Sequence, residues 1–143
     1  SGGDDYVYKL GATTYAFGSL SVGAQHVSVV ASSVETSAAS YTVYLNASNQ
    51  LQTSDAAHVI TPVTDGTVSV GSEEYGAEAI GSLAVQQGVD LGVTTTLRAI
   101  QTSASRTGYV ADRTALLYKL SITSSTAPGT YSQDVYYTLT KNY

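Results

Sequence analysis

The fold of this chain is decided by two runs near its end, Tyr118-Lys-Leu-Ser-Ile-Thr123 and Tyr131-Ser-Gln-Asp-Val-Tyr-Tyr-Thr-Leu-Thr-Lys-Asn-Tyr143. Apolar and aromatic side chains recur at every second position, which is typical of half-buried strands because successive strand residues face opposite sides. The linker between the runs, Ser124-Ser-Thr-Ala-Pro-Gly-Thr130, is rich in turn-forming residues. The pattern therefore predicts a closing β-hairpin. Its expected core-facing residues are Tyr118, Leu120, Ile122, Val135, Tyr137 and Leu139.

The same alternation continues towards the start of the chain. Residues 51–60 and 109–117 fit either short helical turns or strand fragments, whereas Gly76 and Gly81 interrupt a helix over 72–81 and favour an extended stretch. Short strands separated by turn residues about every ten positions predict an all-β chain. We expect a single antiparallel β-sandwich of jelly-roll or immunoglobulin-like type with about eight to ten short strands. The further strand candidates are residues 6–12, 15–22, 26–31, 41–46, 67–70 and 89–100.

The composition indicates one domain with a real core and a weakly charged surface. The chain has 143 residues, of which 43% are hydrophobic and 12% are charged, about half of the usual charged share. Twelve residues are Tyr, whose ring can be buried while its hydroxyl stays in water. Such a surface is typical of extracellular, adhesive β-proteins. We expect residues 1–14 to form an N-terminal tail and candidate donor strand, and residues 15–143 to form the β-sandwich domain.

Charge and cysteine content disfavour several classes of function. The net charge is −5 and the six basic residues are scattered without a patch, which disfavours nucleic-acid binding. The absence of Cys removes disulfides, thiolate metal sites and Cys nucleophiles. No apolar run approaches the roughly 20 residues that a transmembrane helix needs, so no membrane span is expected. The opening Ser1-Gly-Gly-Asp-Asp5 fits a processed N-terminus and a purification scar equally well.

No arrangement of residues predicts an enzyme, a cofactor site or a metal site. His26 and His58 are the only imidazoles, and neither lies in a metal-ligand spacing or beside a Gly-x-Ser-x-Gly nucleophile motif. The carboxylate pairs Asp4-Asp5 and Glu73-Glu74 lack the repeated Asp-x-Asp pattern of a calcium loop. Solvated charge is the preferred interpretation of both pairs.

Two kinds of covalent modification are compatible with the sequence. Asn46-Ala-Ser48 is an N-glycosylation acceptor tripeptide at an expected strand end, which makes Asn46 a candidate glycosylation site. The strand lysines also allow a Lys–Asn cross-link of the kind found in some surface β-domains, with a buried acid as catalyst. Exposed lysines that keep strand edges soluble are the preferred interpretation. The residues concerned are Lys9, Lys119, Lys141 and Asn142.

The alternation at the start of the chain suggests a role in assembly. A strand near a chain end can leave its own domain without breaking connectivity, and its alternate side chains can then fill the groove of a neighbouring subunit. We expect such a donor-strand interface here; the alternative is that the segment forms the first strand of its own domain. The residues that share the expected interface are Tyr6, Tyr8, Leu10 and Ala12.

The two ends of the chain resemble a known group of proteins. Ala127-Pro-Gly-Thr-Tyr131, followed by Val135-Tyr-Tyr-Thr-Leu-Thr140, resembles the closing strands of secreted prokaryotic β-sandwich proteins, many of which are surface-layer, pilus or filament subunits. The N-terminal segment 6–12 is similar in type to the donor strands of chaperone-usher pilins and of TasA-like and archaeal thread or bundling-pilus subunits. The chain departs from those chaperone-usher pilins that carry a disulfide, and it has no sortase-type Leu-Pro-x-Thr-Gly signal.

The resemblance implies a structural protein rather than an enzyme. The expected protein is a subunit of an extracellular microbial filament or pilus at the cell surface, and its partners are copies of itself in a homopolymer. In such groups an N-terminal donor strand completes the sandwich of the next subunit. The alternative is an extracellular carbohydrate- or surface-binding β-sandwich module whose exposed Tyr rings stack on sugars.

Overall fold

A computed structural model describes residues 6–11, 17–105, 107 and 111–142. Within these residues the regular structure consists of β-strands, and no segment forms a helix that is long and apolar enough to cross a membrane. All pairings between the strands are antiparallel, so the predicted all-β class is confirmed. The strands are β1 (Tyr6–Leu10), β2 (His26–Thr36), β3 (Ser40–Ala47), β4 (Leu51–Thr53), β5 (Val59–Ile60), β6 (Glu74–Ile80), β7 (Arg98–Ser103), β8 (Asp112–Ser121), β9 (Tyr131–Ser132) and β10 (Val135–Asn142).

The first sheet contains four strands in the order β1-β2-β8-β6. Its centre is the pair of long strands β2 and β8, in which Val30 lies opposite Leu116. Both side chains are buried, because alternate residues of each strand turn towards the same side of the sheet. On the neighbouring strand β6, Tyr75, Ala77 and Ala79 are buried on that side, as the sequence predicts for residues 72–81.

The second sheet contains three strands in the order β10-β3-β7. Its central strand β3 alternates strictly: every second residue is buried, and the residues between are partly exposed. A third sheet of short strands, in the order β5-β4-β9, contributes Leu51 and Ile60 to the core. The buried residues of β3 are Tyr41, Val43, Leu45 and Ala47.

The two larger sheets share one hydrophobic core. The Tyr41 hydroxyl on β3 donates to Asp112 Oδ2 on β8 at 2.6 Å, and the hydroxyls of Tyr118 on β8 and Tyr137 on β10 form a hydrogen bond. Two sheets that face one core are what a β-sandwich requires; the sandwich itself stays a prediction. The strand order differs from the immunoglobulin order, in which the second strand pairs with the fifth. Here β2 pairs with β8, the sixth described strand of the two larger sheets in chain order.

The predicted closing hairpin is wrong, although the predicted facing of its strands is right. β8 pairs with β2 and β6 in the first sheet, whereas β10 pairs with β3 in the second. Alternation encodes which side of a strand is buried and carries no information on its partner. The linker crosses between sheets and places β9 beside β4 on the way. On β10 the residues Val135, Tyr137 and Leu139 pack against the core, while those between them are exposed.

Several segments that the sequence predicts as strands are packed loops in the structure. The long strand expected over 89–100 is wrong, because only its end belongs to β7 and Leu91 forms an isolated bridge to Ala77. The short strand expected over 67–70 is also absent from the described structure, although Val68 is buried. Of the two ambiguous regions, residues 51–60 form the strand fragments β4 and β5, and residues 112–117 belong to the strand β8. The expected strand 15–22 is not seen over 17–22, and its first residues lie outside the described part.

Candidate functional site

The N-terminal strand β1 is the edge strand of the first sheet and pairs with β2 of its own chain. In this pairing Tyr8 lies opposite Val34 and Leu10 opposite Ser32. The ladder extends one residue further, because the Gly11 N–H donates to the Ala31 carbonyl at 2.6 Å. In the structure β1 is therefore a β-strand, and its register with β2 is the one that a donor strand from another copy would adopt. Insertion of β1 into a neighbouring copy stays a prediction.

Strand β10 is the edge strand of the second sheet, and its inward side chains meet those of β1. The ring centroids of Tyr8 and Tyr137 are 6.4 Å apart, and the ring planes are inclined at 53°. Aromatic pairs favour such tilted contacts. The Tyr137 hydroxyl also forms a hydrogen bond with the Tyr118 hydroxyl. The cluster of Tyr8, Tyr118 and Tyr137 therefore links both edge strands to the interior strand β8 of the first sheet. The edges of the two sheets thus lie on the same side of the core.

The edge strands β1 and β10 contribute hydrophobic side chains that pack against the core and are only partly buried among the described residues. The side chains at the centre of the core on β2, β3 and β8 are fully buried. We call the partly buried set the open side of the core. It comprises Tyr8 and Leu10 of β1 and Val135, Tyr137 and Leu139 of β10.

The opposite edges of both sheets are covered by loop segments of the same chain. β6 is bridged by Pro62 in parallel and by Leu91 in antiparallel orientation. β7 is bridged by Ala84, and its Thr102 N–H donates to the Leu83 carbonyl at 3.1 Å. Within the described residues no comparable bridge reaches the outer edges of β1 and β10. An uncovered strand edge offers backbone donors and acceptors to another strand, so the open side of the core is the candidate interaction site.

The structure brings together two of the four predicted interface residues. Tyr8 and Leu10 are half-buried against the core, and Lys9 between them is exposed, as the alternating pattern predicts. Tyr6 belongs to β1 and lies opposite Thr36, but its side chain is outside the described part. Ala12 lies outside the described residues altogether. The sequence pattern did not reveal that β10 lines the same site, since pairing partners are not encoded in alternation.

The candidate glycosylation residue Asn46 lies on the outward face of β3, opposite Tyr136 of β10. It is half-exposed, and its amide nitrogen lies 3.4 Å from the Thr95 carbonyl that it contacts. The Ser48 hydroxyl of the same tripeptide accepts a hydrogen bond from the Asp134 N–H at 3.3 Å. The Asn46 amide nitrogen, to which a glycan would be attached, therefore donates a long hydrogen bond to the Thr95 carbonyl. Glycosylation of this residue stays a prediction.

A buried polar network lies where β3, β7 and β8 meet. Tyr41 donates its hydroxyl proton to Asp112 and accepts a hydrogen bond of 2.9 Å from Gln101 Nε2. Burial, followed by the hydrogen bond and the charge of Asp112, raises the pKa of Tyr41 well above its ordinary value. All three side chains fix one another. The network therefore ties β3, β7 and β8 together within the core.

The two imidazoles lie apart from any cluster of ligands. Within the described residues no group of three or more His, Asp or Glu side chains is placed to hold a metal ion. His26 Nε2 contacts both the N–H and the carbonyl of Ser21, at 3.1 and 3.0 Å, and His58 lies exposed beside the turn after β4. His26 therefore has a local structural role, since one backbone segment occupies its ring nitrogen.

The outward face of the second sheet presents aromatic and hydroxyl groups. Tyr136 on β10 is 50% exposed, and Tyr44 on β3 is half-exposed opposite Thr138. Because Tyr136 lies opposite Asn46, two positions along from Tyr44, the two rings are diagonal neighbours on one face.

Comparison of the chain with protein-family models, with curated proteins and with solved structures finds no match.

Proposed function

We propose that the chain is a structural subunit of an extracellular microbial filament or pilus, assembled by insertion of β1 into a neighbouring copy. The observation that supports this function is that β1 is the edge strand of the first sheet among the described residues and packs Tyr8 and Leu10 against the core. In the part of the chain that the structure describes, β2 is its pairing partner. A weakly charged chain, with 12% charged residues, suits an extracellular assembly at a microbial cell surface.

The contacts of β1 can be made equally well by another copy of the same strand. β1 supplies backbone partners to β2 and the two side chains Tyr8 and Leu10 to the core. Without it β2 would become an unpaired edge, and buried residues such as Val34 would lose cover. A strand from a neighbour restores both the ladder and the side chains, which is the logic of β-strand addition.

The connection between β1 and β2 is long enough for exchange. It consists of residues 11–25, which at about 3.4 Å per residue span about 50 Å when extended. β1 of one copy can therefore reach β2 of the next, and full extension of the connection would release Phe17 and Leu20 from their contacts with the core. A contact of this kind is head-to-tail, and it propagates into a fibre when it does not close into a ring.

Truncation of the chain tests the proposal. The variant lacking residues 1–12 loses β1, whereas the control variant lacking residues 1–5 keeps it. We expect the control to polymerise under electron microscopy. We expect the longer truncation to remain monomeric, to keep a β-type circular dichroism spectrum, and to bind a synthetic peptide of residues 4–14. Polymer formed by the chain lacking residues 1–12 would show that assembly does not use β1.

A second function is favoured by the outward face of the second sheet. Tyr44 and Tyr136 are diagonal neighbours and partly exposed, and exposed aromatic faces stack on sugar rings. On this reading the protein is an extracellular carbohydrate- or surface-binding module. A monomeric chain whose melting temperature rises with a polysaccharide, and whose Tyr136→Ala variant shows no such rise, would support this function over the filament.

A further inference from the structure

A lysine on the outward face of the first sheet is held between two carboxylates. Lys119 Nζ lies 2.8 Å from Glu78 Oε1 and 2.8 Å from Asp90 Oδ1. Lys119 belongs to β8, Glu78 to the neighbouring strand β6, and Asp90 to the loop that pairs with β6 through Leu91. The three groups therefore come from separate parts of the chain and meet at one point.

The site is closed because the loops lie directly on the sheet. Gly76 is opposite Lys119 on β6, and a Cβ at this position would come within 2.6 Å of Val63 Cγ1 and 2.8 Å of the Leu91 carbonyl. Only glycine lets the loops approach this closely. As a result the side chains of Lys119 and Asp90 are only 17% and 6% exposed.

Both carboxylates are fixed in position by backbone donors. Asp90 Oδ2 accepts the Val68 N–H at 2.8 Å, and Glu78 Oε2 accepts the Gly88 N–H at 3.0 Å. Each carboxylate thus turns its other oxygen to the lysine. Asp90 Oδ1 is buried and has no other polar partner among the described residues.

We propose that Lys119 and Asp90 form an intramolecular amide bond, with Glu78 as the proton shuttle. The amine and a carboxyl group are in contact, are held there by the fold, and are largely shielded from water, which are the conditions under which a bimolecular condensation becomes efficient. Asp90 is the acyl partner because it is the more buried carboxylate, so that its charge is the less well solvated. Glu78 lies within reach of the same nitrogen.

The condensation balances without any further reactant. Lys119 Nζ transfers a proton to Glu78, which passes it to one oxygen of Asp90, and the neutral amine then attacks Cγ of the protonated carboxyl group to form the new C–N bond. The nitrogen gives up a second proton, Glu78 relays it to the same Asp90 oxygen, and the C–O bond breaks with loss of one water molecule. An ammonium and a carboxylate are thus converted into a neutral amide and water, and Glu78 returns to its starting state.

The proton transfer is the demanding step. Burial lowers the pKa of Lys119, but hydrogen bonds and charge from Asp90 and Glu78 outweigh burial and leave that pKa raised. The resting amine is therefore an ammonium, and reaction proceeds through its minor neutral form. A slow reaction that runs once per molecule tolerates such a step, whereas a turning-over enzyme would not.

The sequence placed Lys119 among the candidate cross-linking residues but favoured an exposed lysine at a strand edge, which is wrong for Lys119, because β8 lies between β2 and β6 and the side chain is only 17% exposed. Lys119 and Asn142 both belong to the candidate cross-linking residues, yet Asn142 ends β10 in the second sheet, opposite Ser40. Asp90 comes from a loop, and no periodic signal marks it. The packing of that loop on Gly76 brings Asp90 next to Lys119.

The intact mass of the folded chain tests the proposal. The wild-type protein should weigh one water molecule less than its sequence, and digestion should yield a branched peptide joining Lys119 to Asp90. Lys119→Arg and Glu78→Gln should fold and show the full mass. Asp65-Gly66 can lose water by forming a succinimide, so Asp65→Glu serves as the control that should retain the mass loss.

Two results would overturn the proposal. A folded wild-type chain of full mass would limit the contact to an ion pair. A water loss that persists in Lys119→Arg, or that maps to Asp65, would assign the loss to other chemistry. The amide does not depend on polymerisation, so it is tested on monomeric protein and stands or fails separately from the filament proposal.

Discussion

The ring of Tyr8, on the first strand of the chain, stands 6.4 Å from the ring of Tyr137, on the last. The two strands belong to different sheets and are both edge strands. This contact joins the ends of the chain across the open side of the core. A strand that replaces β1 in the same register places its residue at the Tyr8 position beside Tyr137.

The inward facing of β10 gives the first prediction. Leu139 packs against the core and Thr138 is exposed. Leu139→Asp should lower the free energy of unfolding by about 2 kcal/mol or more, because it removes apolar burial and places a charge there. Thr138→Asp should change it by about 0.5 kcal/mol or less. Urea unfolding measures both variants, and equal losses would contradict the observed facing.

A single phenol hydroxyl connects three parts of the chain. Tyr75 O–H donates to the Val93 carbonyl at 2.6 Å and accepts from the Leu51 N–H and from Gln133 Nε2. Tyr75→Phe should cost about 1–3 kcal/mol, because it leaves buried donors and an acceptor unpaired. In the control Tyr131→Phe only one hydrogen bond is lost, to the Ala127 carbonyl, and the cost should be smaller. The comparison uses the urea midpoints of the two variants.

The close approach at Gly76 gives a steric prediction. A Cβ at this position would lie 2.6 Å from Val63 Cγ1, so Gly76→Ala should destabilise the fold by about 1–3 kcal/mol through overpacking. At Gly11 the nearest atom to a Cβ is the Ala31 carbonyl oxygen, at 3.3 Å, and Gly11→Ala should be milder. Thermal unfolding measures both. If Gly76→Ala melted no lower than Gly11→Ala, the loops could not lie as tightly on β6 as described.

Stability should fall at alkaline pH because two buried tyrosines resist ionisation. Burial raises the pKa of Tyr75 above the ordinary 10.0, and hydrogen bonds from Gln133 and Leu51 offset this only in part; burial and Asp112 raise the pKa of Tyr41 further. Above about pH 10 the unfolded chain therefore releases protons that the folded chain retains. Each tyrosine then removes up to about 1.4 kcal/mol of stability per pH unit until its folded pKa is reached.

Urea unfolding between neutral and strongly alkaline pH measures this slope. Below about pH 10 neither tyrosine should contribute a pH dependence, since both are protonated in both states. The variant Tyr75→Phe should show a shallower decline than the wild type above that pH. An unchanged slope in the variant would mean that Tyr75 titrates normally in the folded chain.

The alternating pattern in the sequence predicts which face of a strand is buried, but it does not predict which strands pair. Period two identified the buried faces of β3 and β10, because burial acts on one residue at a time. It did not identify strand partners, so β8 and β10 were expected to form a hairpin. It also overextended the strand at 89–100, where Leu91 is buried as part of a loop that pairs with β6.

At the candidate site too, the sequence predicted which side chains face the core but not which segments lie next to each other. Tyr8 and Leu10 were predicted from alternation, and they pack against the core. The part played by β10, and the meeting of Lys119 with Asp90, arise from contacts between segments far apart in the chain. No local pattern encodes such contacts, since they depend on sheet order and on the space that Gly76 leaves.

Covalent trapping of β1 against β2 tests the central claim most directly. Lys9 and Ser33 lie opposite each other, the chain has no Cys of its own, and directly opposed antiparallel residues are about 4.5–5.5 Å apart, within disulfide range. The double variant Lys9→Cys, Ser33→Cys would be assembled under reducing conditions and then oxidised. The matched control, Val29→Cys with Leu117→Cys, joins two interior strands of one domain.

Non-reducing electrophoresis then reports which chains are joined. Donor-strand assembly predicts a ladder of covalent oligomers from the β1–β2 pair and a single monomer band from the β2–β8 control. Oxidation before assembly should instead lock the pair within one chain and block polymerisation until reductant is added. Polymer that yields only cross-linked monomer from the β1–β2 pair would contradict the account, because β1 would then have stayed in its own domain.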